Sequence, residues 1–274
     1  MPVMIRYLLP ALMVATCCPL LADSAATVTE AVNQVSHGSS KAAETSQAQV
    51  GTKLQDGEYL KTGVKSRAEL QLANASITRL GANTIFDYSP STNEIDLQAG
   101  TVLFSKPKDD KQMNIKTASV TAAIVGTTGF IQSKEKSFLF GLIEGHARLT
   151  INGVTVLVGP GEILRFTPGS KPQVYSYNVP HFLETSPLII DFHDHLPNQP
   201  FIDQEVAEYD NLVARGFITP TSGPIVTEVE GVVPSVPFSG IDSAGKSHQI
   251  FNMPPPPPPP PHEQSGLVFH PARP

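Results

Sequence analysis

SVTAAIVGTTGFIQS, residues 119–133, is apolar and β-branched at both ends and holds Gly126, Thr127, Thr128 and Gly129 in its middle. Glycine inside a strand costs backbone entropy and offers no side chain to pack. Where it occurs it marks a bulge or the close approach of another backbone. The run therefore reads as the buried spine of an all-β domain. It contains no acid, base, thiol or imidazole, which points to a scaffold or binding module rather than an enzyme.

The segments around it agree. Over residues 50–178 apolar and polar residues alternate, with Gly, Asn or Asp every few residues. That is the pattern of many short antiparallel strands. In SRAELQLA the two-residue period sends Ala68, Leu70 and Leu72 one way and Arg67, Glu69 and Gln71 the other. ASITRLGANTIFDY gives two strands around Gly81-Ala82-Asn83. EIDLQAGTVLFS puts Ile95 and Leu97 inward, turns at Ala99-Gly100 and resumes with Val102 and Phe104. SFLFGLIEGHARLTI breaks at Glu144-Gly145, and Asn152-Gly153 closes a tight hairpin, since both residues tolerate positive φ. VTVLVGPGEILRF turns at Gly159-Pro160-Gly161. The expected fold is an antiparallel β-sandwich, with a β-roll or β-helix-like stacking as the alternative.

The N-terminal end sets the compartment. Arg6 precedes an apolar stretch, YLLPALMVATCCPLLA, broken by Pro10 and Pro19. It falls short of the roughly 20 apolar residues of a spanning helix and fits a secretory signal over residues 1–22. Cleavage is expected after Ala22, or else after Ala25 or Ala26. Both cysteines, Cys17 and Cys18, lie inside that signal, so the mature chain has no disulfide and no cysteine site. Val14-Ala15-Thr16-Cys17 loosely resembles a lipoprotein box, so membrane contact is expected only through lipidation at Cys17. Removing residues 1–22 deletes one of 19 basic residues and none of the 25 acidic ones, leaving 18 − 25 = −7. With no tryptophan and no basic stripe, nucleic acid is not an expected partner.

Residues 23–49, rich in Ala, Ser, Thr and Gln, read as a loosely ordered lead-in. Residues 179–216 read as a partly ordered extension with one helix. Asp203 would cap it, Val206, Tyr209 and Val213 would share a face, and Gly216 would follow its end. Residues 217–274 read as a proline-rich, irregular tail. It carries eight consecutive prolines, 254–261, a polyproline II run of about 25 Å.

The ordered turn residues resemble those of a FecR-type domain. They are Thr62-Gly63, then Ser66, Ala68 and Leu70, then Leu80-Gly81-Ala82-Asn83. Gly126-Thr127 with Phe130, Glu144-Gly145 and Gly161-Glu162 follow, covering about residues 51–168. Gly81, Gly126, Thr127, Gly145 and Gly161 are the structural motif positions of this resemblance. It implies an extracytoplasmic, non-catalytic all-β domain. The best-known members couple an outer-membrane siderophore transducer to a cytoplasmic sigma factor. This chain shows no sigma-binding segment, long membrane helix or receptor-docking domain, so a stand-alone exported module is the expectation. Its ligand is unassigned, and its partner would be an envelope protein or a second copy of itself. A structural, self-assembling envelope protein is the alternative. A sigma-factor regulator and a glycoside hydrolase rank below it.

Few residues are candidates for chemistry. Asp191, His193 and His195 alternate in IIDFHDH and would share one face of a strand, with His181 as a fourth ligand. A histidine pair without a full ligand set and supporting shell reads instead as a solvated strand end, so no metal is assigned. Glu144 and Glu162 are the pair a glycosidase reading would need. Both flank glycine turns, and no motif orients a base beside them. Gly126–Gly129 lacks the lysine and the helix of a phosphate loop. His146 reads as a half-buried structural histidine. No cofactor is expected.

Overall fold

The computed structural model describes residues 24–39, 45–135 and 137–217. The expected signal, its two cysteines and most of the proline-rich tail lie outside the described residues. From the N-terminal side the chain forms β1 (Ala26–Val32), β2 (Val35–Gly38), β3 (Ser46–Gln47), β4 (Lys53–Leu54) and β5 (Tyr59–Thr62). There follow β6 (Arg67–Leu72), β7 (Ile77–Leu80), β8 (Ile85–Ser89), β9 (Glu94–Ser105), β10 (Met113–Lys116) and β11 (Val120–Ile124). The last strands are β12 (Thr128–Lys134), β13 (Ser137–Glu144), β14 (Ala147–Ile151), β15 (Val154–Val158), β16 (Glu162–Phe166) and β17 (Gln173–Ser176). Three helices end the described chain: α1 (Val179–Thr185), α2 (Pro187–Ile190) and α3 (Gln199–Ala214).

The strands pair into two sheets joined through β9. The first sheet runs β4-β1-β6-β7-β9-β12-β13-β16-β17. The second runs β3-β2-β5-β8-β9-β10-β11-β14-β15. All pairs are antiparallel except β9 with β10. One continuous core draws Leu70, Leu80, Phe104, Ile131, Phe140 and Leu164 from the first sheet. It draws Leu60, Phe86, Ile95, Ile115, Ile124 and Leu149 from the second. Inward residues alternate with outward ones on every long strand, as in a sandwich core.

The chain changes sheets at sharp corners, and there the glycines act. Ala99-Gly100 is not the end of a strand. β9 continues through it, pairing with β8 up to Ala99, with β12 from Gly100 and with β7 from Val102. Gly100 has φ +103°, and a Cβ on it would stand 2.4 Å from the Cα of Thr84. Only glycine fits there. The 119–133 run likewise splits into β11 and β12, which lie in different sheets with a corner at 125–127. A register shift falls between Thr128 and Gly129. A Cβ on Gly129 would come within 2.5 Å of the Gly141 carbonyl. Bulge and close backbone approach both occur in this one run.

Two expectations need correcting. The supposed lead-in holds β1 and β2. β1 pairs with β4 and β6 in the first sheet, and β2 pairs with β3 and β5 in the second. The β domain therefore starts near Ala25, not at residue 50. Alternation in ATVTEAV was masked by small residues, of which Ala26 and Val28 are buried. The extension forms three helices, not one. α3 starts after Asn198, five residues before Asp203, because Pro200 suits a first turn. Its expected face is correct: Tyr209 is buried, and Val206 and Val213 pack on the same apolar cluster.

Candidate functional site

The helices lie on the outward face of the first sheet. One row of directly opposed residues crosses that face: Glu69, Arg79, Leu103, Phe130, Gly141, Ile163 and Tyr175. Its middle is apolar and joins a second buried cluster with Leu139, Ile143, Tyr177, Val179, Phe182, Leu188, Phe192, Leu196, Ile202 and Tyr209. Phe182 stacks on Phe130 at 4.4 Å, and Tyr177 meets both rings edge-on. Gly141 makes this possible, since a Cβ there would stand 2.3 Å from the Phe130 ring. The Tyr177 hydroxyl donates to the Leu142 carbonyl at 2.8 Å, and burial pushes its pKa well above 10.0.

Two buried polar groups, one charged and one neutral, pin the helices down. Arg79 Nε donates to Glu69 at 2.7 Å. The same guanidinium donates to the Leu188 carbonyl at 3.1 Å and to the Asp194 carbonyl, and it stacks 4.8 Å from the Phe192 ring centre. Thr29, extruded by the β1 bulge, donates its hydroxyl to Glu69 at 2.8 Å. A buried ion pair needs such extra donors and acceptors, because desolvation consumes most of its Coulomb gain. The second pin is Asn198. Its amide donates to Glu144 at 2.7 Å, to the Lys106 carbonyl at 2.7 Å and to Thr128 at 3.2 Å. Glu144 is 1% exposed and also pairs with Lys108. Lys106, fully buried, pairs with Asp109, and that hydrogen bond holds the Asp109 carboxyl below its ordinary value of 3.8.

The motif residues occupy the corners and not a pocket. Thr62 donates to the Gly81 carbonyl at 2.6 Å, and Gly81 N–H donates to Thr101 at 2.9 Å. Asn83 N–H donates to Gly63 at 3.1 Å, and Thr84 Oγ1 bridges the Gly81 and Thr101 carbonyls at 2.9 and 3.2 Å. At the other corner Thr127 donates to the carbonyls of Val125 and His146 at 3.1 and 3.2 Å. Lys108 donates to Gly126, and Gly145 fits against Thr127. Gly161 N–H donates to Leu142 at 2.9 Å, and the Gly161 carbonyl accepts from Tyr177. Each motif position satisfies backbone groups where a strand leaves one sheet for the other, a demand every buried corner must meet.

The other candidates separate. Asp191, His193 and His195 do not lie on a strand: Asp191 caps α2, and the two histidines follow in an exposed turn. Asp191 pairs with Arg67 at 3.7 Å, and His193 with Glu30 at 3.1 Å, its side chain 89% exposed. The backbone N–H of His181 instead serves the N-cap of α1, donating to Asn178 at 3.0 Å. Among the described residues no three His, Cys, Asp or Glu side chains gather as a metal group. Glu162 accepts the Gly159 N–H at 2.7 Å within its own turn, while Glu144 is buried among Lys108 and Asn198. His146 is exposed, not half-buried, because Gly145 turns it out at the corner. Glu69, Arg79, Lys106 and Asn198 were not singled out by the sequence. Glu69 lies on the alternate, polar side of its strand, and only the apolar periodicity of residues 179–213 hints that this side is covered.

The fold is an all-β sandwich whose signature residues brace its corners and whose buried acids, Glu69 and Glu144, are tied to cations and an amide. Residues 58–148 match the family model for FecR protein, and the chain carries a FecR-type domain. No curated protein matches the chain. Two crystal structures of a candidate anti-sigma factor from Parabacteroides distasonis ATCC 8503, at 1.65 and 2.50 Å, are similar over 44% of this chain. Each is 10% identical with a TM-score of 0.42, and the match spans 60% of the solved chain.

Proposed function

We propose that the protein is an exported, non-enzymatic FecR-type module that signals by binding another protein of the cell envelope. The observation that carries this is the asymmetry of the FecR-type sandwich. One outer face is closed by the chain's own helices, while the other presents Lys116, Thr150 and Thr155 to solvent. The two buried glutamates found among the described residues are both occupied by partners, Glu69 by Arg79 and Glu144 by Lys108 and Asn198. Neither is available as a base. Export is supported by Arg6 and the apolar stretch after it, which fit a cleaved signal. Among the described residues no helix is long and apolar enough to cross a membrane. Contact with lipid would require acylation of Cys17 in place of cleavage after Ala22.

The test is a photo-crosslinking amino acid placed at Thr121 or Thr150, both on the open face, in intact cells. A covalent adduct with a different protein, recovered from the envelope fraction, is the expected result. Absence of any foreign adduct from both positions, with the chain retained uncleaved in the cytoplasm, overturns the reading.

A further inference from the structure

Among the described residues four strands form the free edges of the two sheets, and three of them are guarded. β3 and β4 are two residues long. β17 is preceded by Lys171-Pro172 and carries Gln173. Short edges, lysine and proline are the usual devices against unwanted strand pairing. β15 has none of them. It reads VTVLV, uncharged and without proline, and its register with β14 is unbroken from Val154 to Val158. Val154 is 59% exposed and Leu157 68% exposed.

The free backbone groups of β15 follow from its turn. Asn152 and Gly153 both have positive φ, +51° and +78°, and form a two-residue loop that makes Ile151 and Val154 a hydrogen-bonded pair. Alternation along an antiparallel ladder then turns the N–H and C=O of Val154, Val156 and Val158 toward β14. Those of Thr155 and Leu157 point out of the sheet edge.

We propose that β15 is an interface between two copies of this chain, paired antiparallel about Val156. In that register Thr155 of each copy faces Leu157 of the other, so the four outward backbone groups of each strand find their complements. Val156 meets its own counterpart in the close, non-hydrogen-bonded position. The side chains agree with the backbone. Val154, Val156 and Val158 lie on the core side, where Val156 packs against and Val158 joins the core, so the copies would continue one valine row. No like charges oppose, because β15 has none. A foreign strand could use the same edge, but only a second copy matches it by its own near-palindromic sequence. Such a two-fold contact consumes β15 in both copies, and the guarded edges stop growth there, so the assembly closes as a dimer rather than a filament. This proposal is independent of the open-face reading.

The test uses the full chain purified from the envelope. Wild type is expected to sediment as a concentration-dependent dimer in the micromolar range. Val156→Cys should give a disulfide-linked dimer under mild oxidation, since a non-hydrogen-bonded pair brings the Cα atoms within disulfide reach. Thr150→Cys, one strand inward, should not. Leu157→Lys, on an exposed side chain, should keep the β circular dichroism and the melting temperature while shifting the sedimentation to monomer. Thr155→Pro, which removes an N–H that β14 does not use, should do the same. A wild type that stays monomeric throughout, a dimer that survives both substitutions, or equal crosslinking at Thr150 and Val156 overturns the proposal.

Discussion

Across the first sheet, the outward row from Glu69 to Tyr175 lies under helices. Across the second, the equivalent row is Tyr59, Asp87, Asp96, Lys116, Thr121, Thr150 and Thr155, and the helical cluster draws no residue from it. Both rows sit on strands whose inward residues fill the same core. What separates them is the chemistry of the middle positions. Leu103, Phe130 and Ile163 demand burial, while Asp96, Lys116 and the threonines do not. The cap is therefore part of the folded domain and not an appendage to it, although it lies beyond the FecR match, which ends at residue 148.

Breaking the capped face should have the largest effect. Phe130→Ala removes the ring on which Phe182 stacks and leaves a void above Gly141, so denaturant unfolding should show a loss toward the upper end of about 3–5 kcal/mol. Thr121→Ala on the other face should change stability by no more than about 0.5 kcal/mol. Equal costs at the two positions would mean that the faces do not differ as described.

The charged end of the capped row sharpens the contrast. Arg79→Ala would leave Glu69 buried without its cation, at a cost of about 3 kcal/mol. The loss stays at the low end of that class because Thr29 still donates to the carboxylate. The double variant Glu69→Leu/Arg79→Leu should recover most of it, since burial of the pair itself adds little net stability. A double variant as unstable as the single one would instead assign the stability to the guanidinium's bonds with the Leu188 and Asp194 carbonyls.

Much of the sandwich was legible because period-two alternation reports directly on one buried face. Leu70, Leu72, Ile95, Leu97 and Phe104 all fall in the core as read. Alternation is silent on three matters. It does not say when a strand bends from one sheet into another, which is why β9 looked like two strands and the 119–133 run like one. It does not tell a polar outer face from a covered one, so Glu69 looked solvated. And it fades where alanine and threonine replace larger residues, which hid β1. The motif glycines were legible as special backbone positions, but their place at corners needs the pairing of distant strands. Asp191, His193 and His195 looked aligned only under a strand assignment, and Pro187 starts a helix there instead.

Glu205 tests the capped face through pH, with the smallest expected effect. It lies on α3 and its carboxyl is pushed above the ordinary value of 4.5, first by burial and then by Glu144, with Glu208 adding and Lys108 opposing. A raised folded pKa means that the folded chain holds this proton longer than the unfolded chain does. Below about 4.5 both forms are protonated, so the residue costs nothing. As pH rises from there through the raised value, the unfolded state gains by releasing its proton first, and stability falls. Glu205→Gln removes that loss. The variant should match wild type in acid and exceed it at neutral pH by less than about 1 kcal/mol, the scale of solvent-screened charge interactions. Asp109 has the opposite sign, its lowered pKa giving stability that is lost as pH falls, so the difference between variant and wild type, not either curve alone, isolates Glu205. Thermal melts of both proteins across that range measure it. A difference that grows toward acid instead of toward neutral pH would show that Glu205 sits in a favourable field, and that α3 packs against Glu144 and Lys108 in another way.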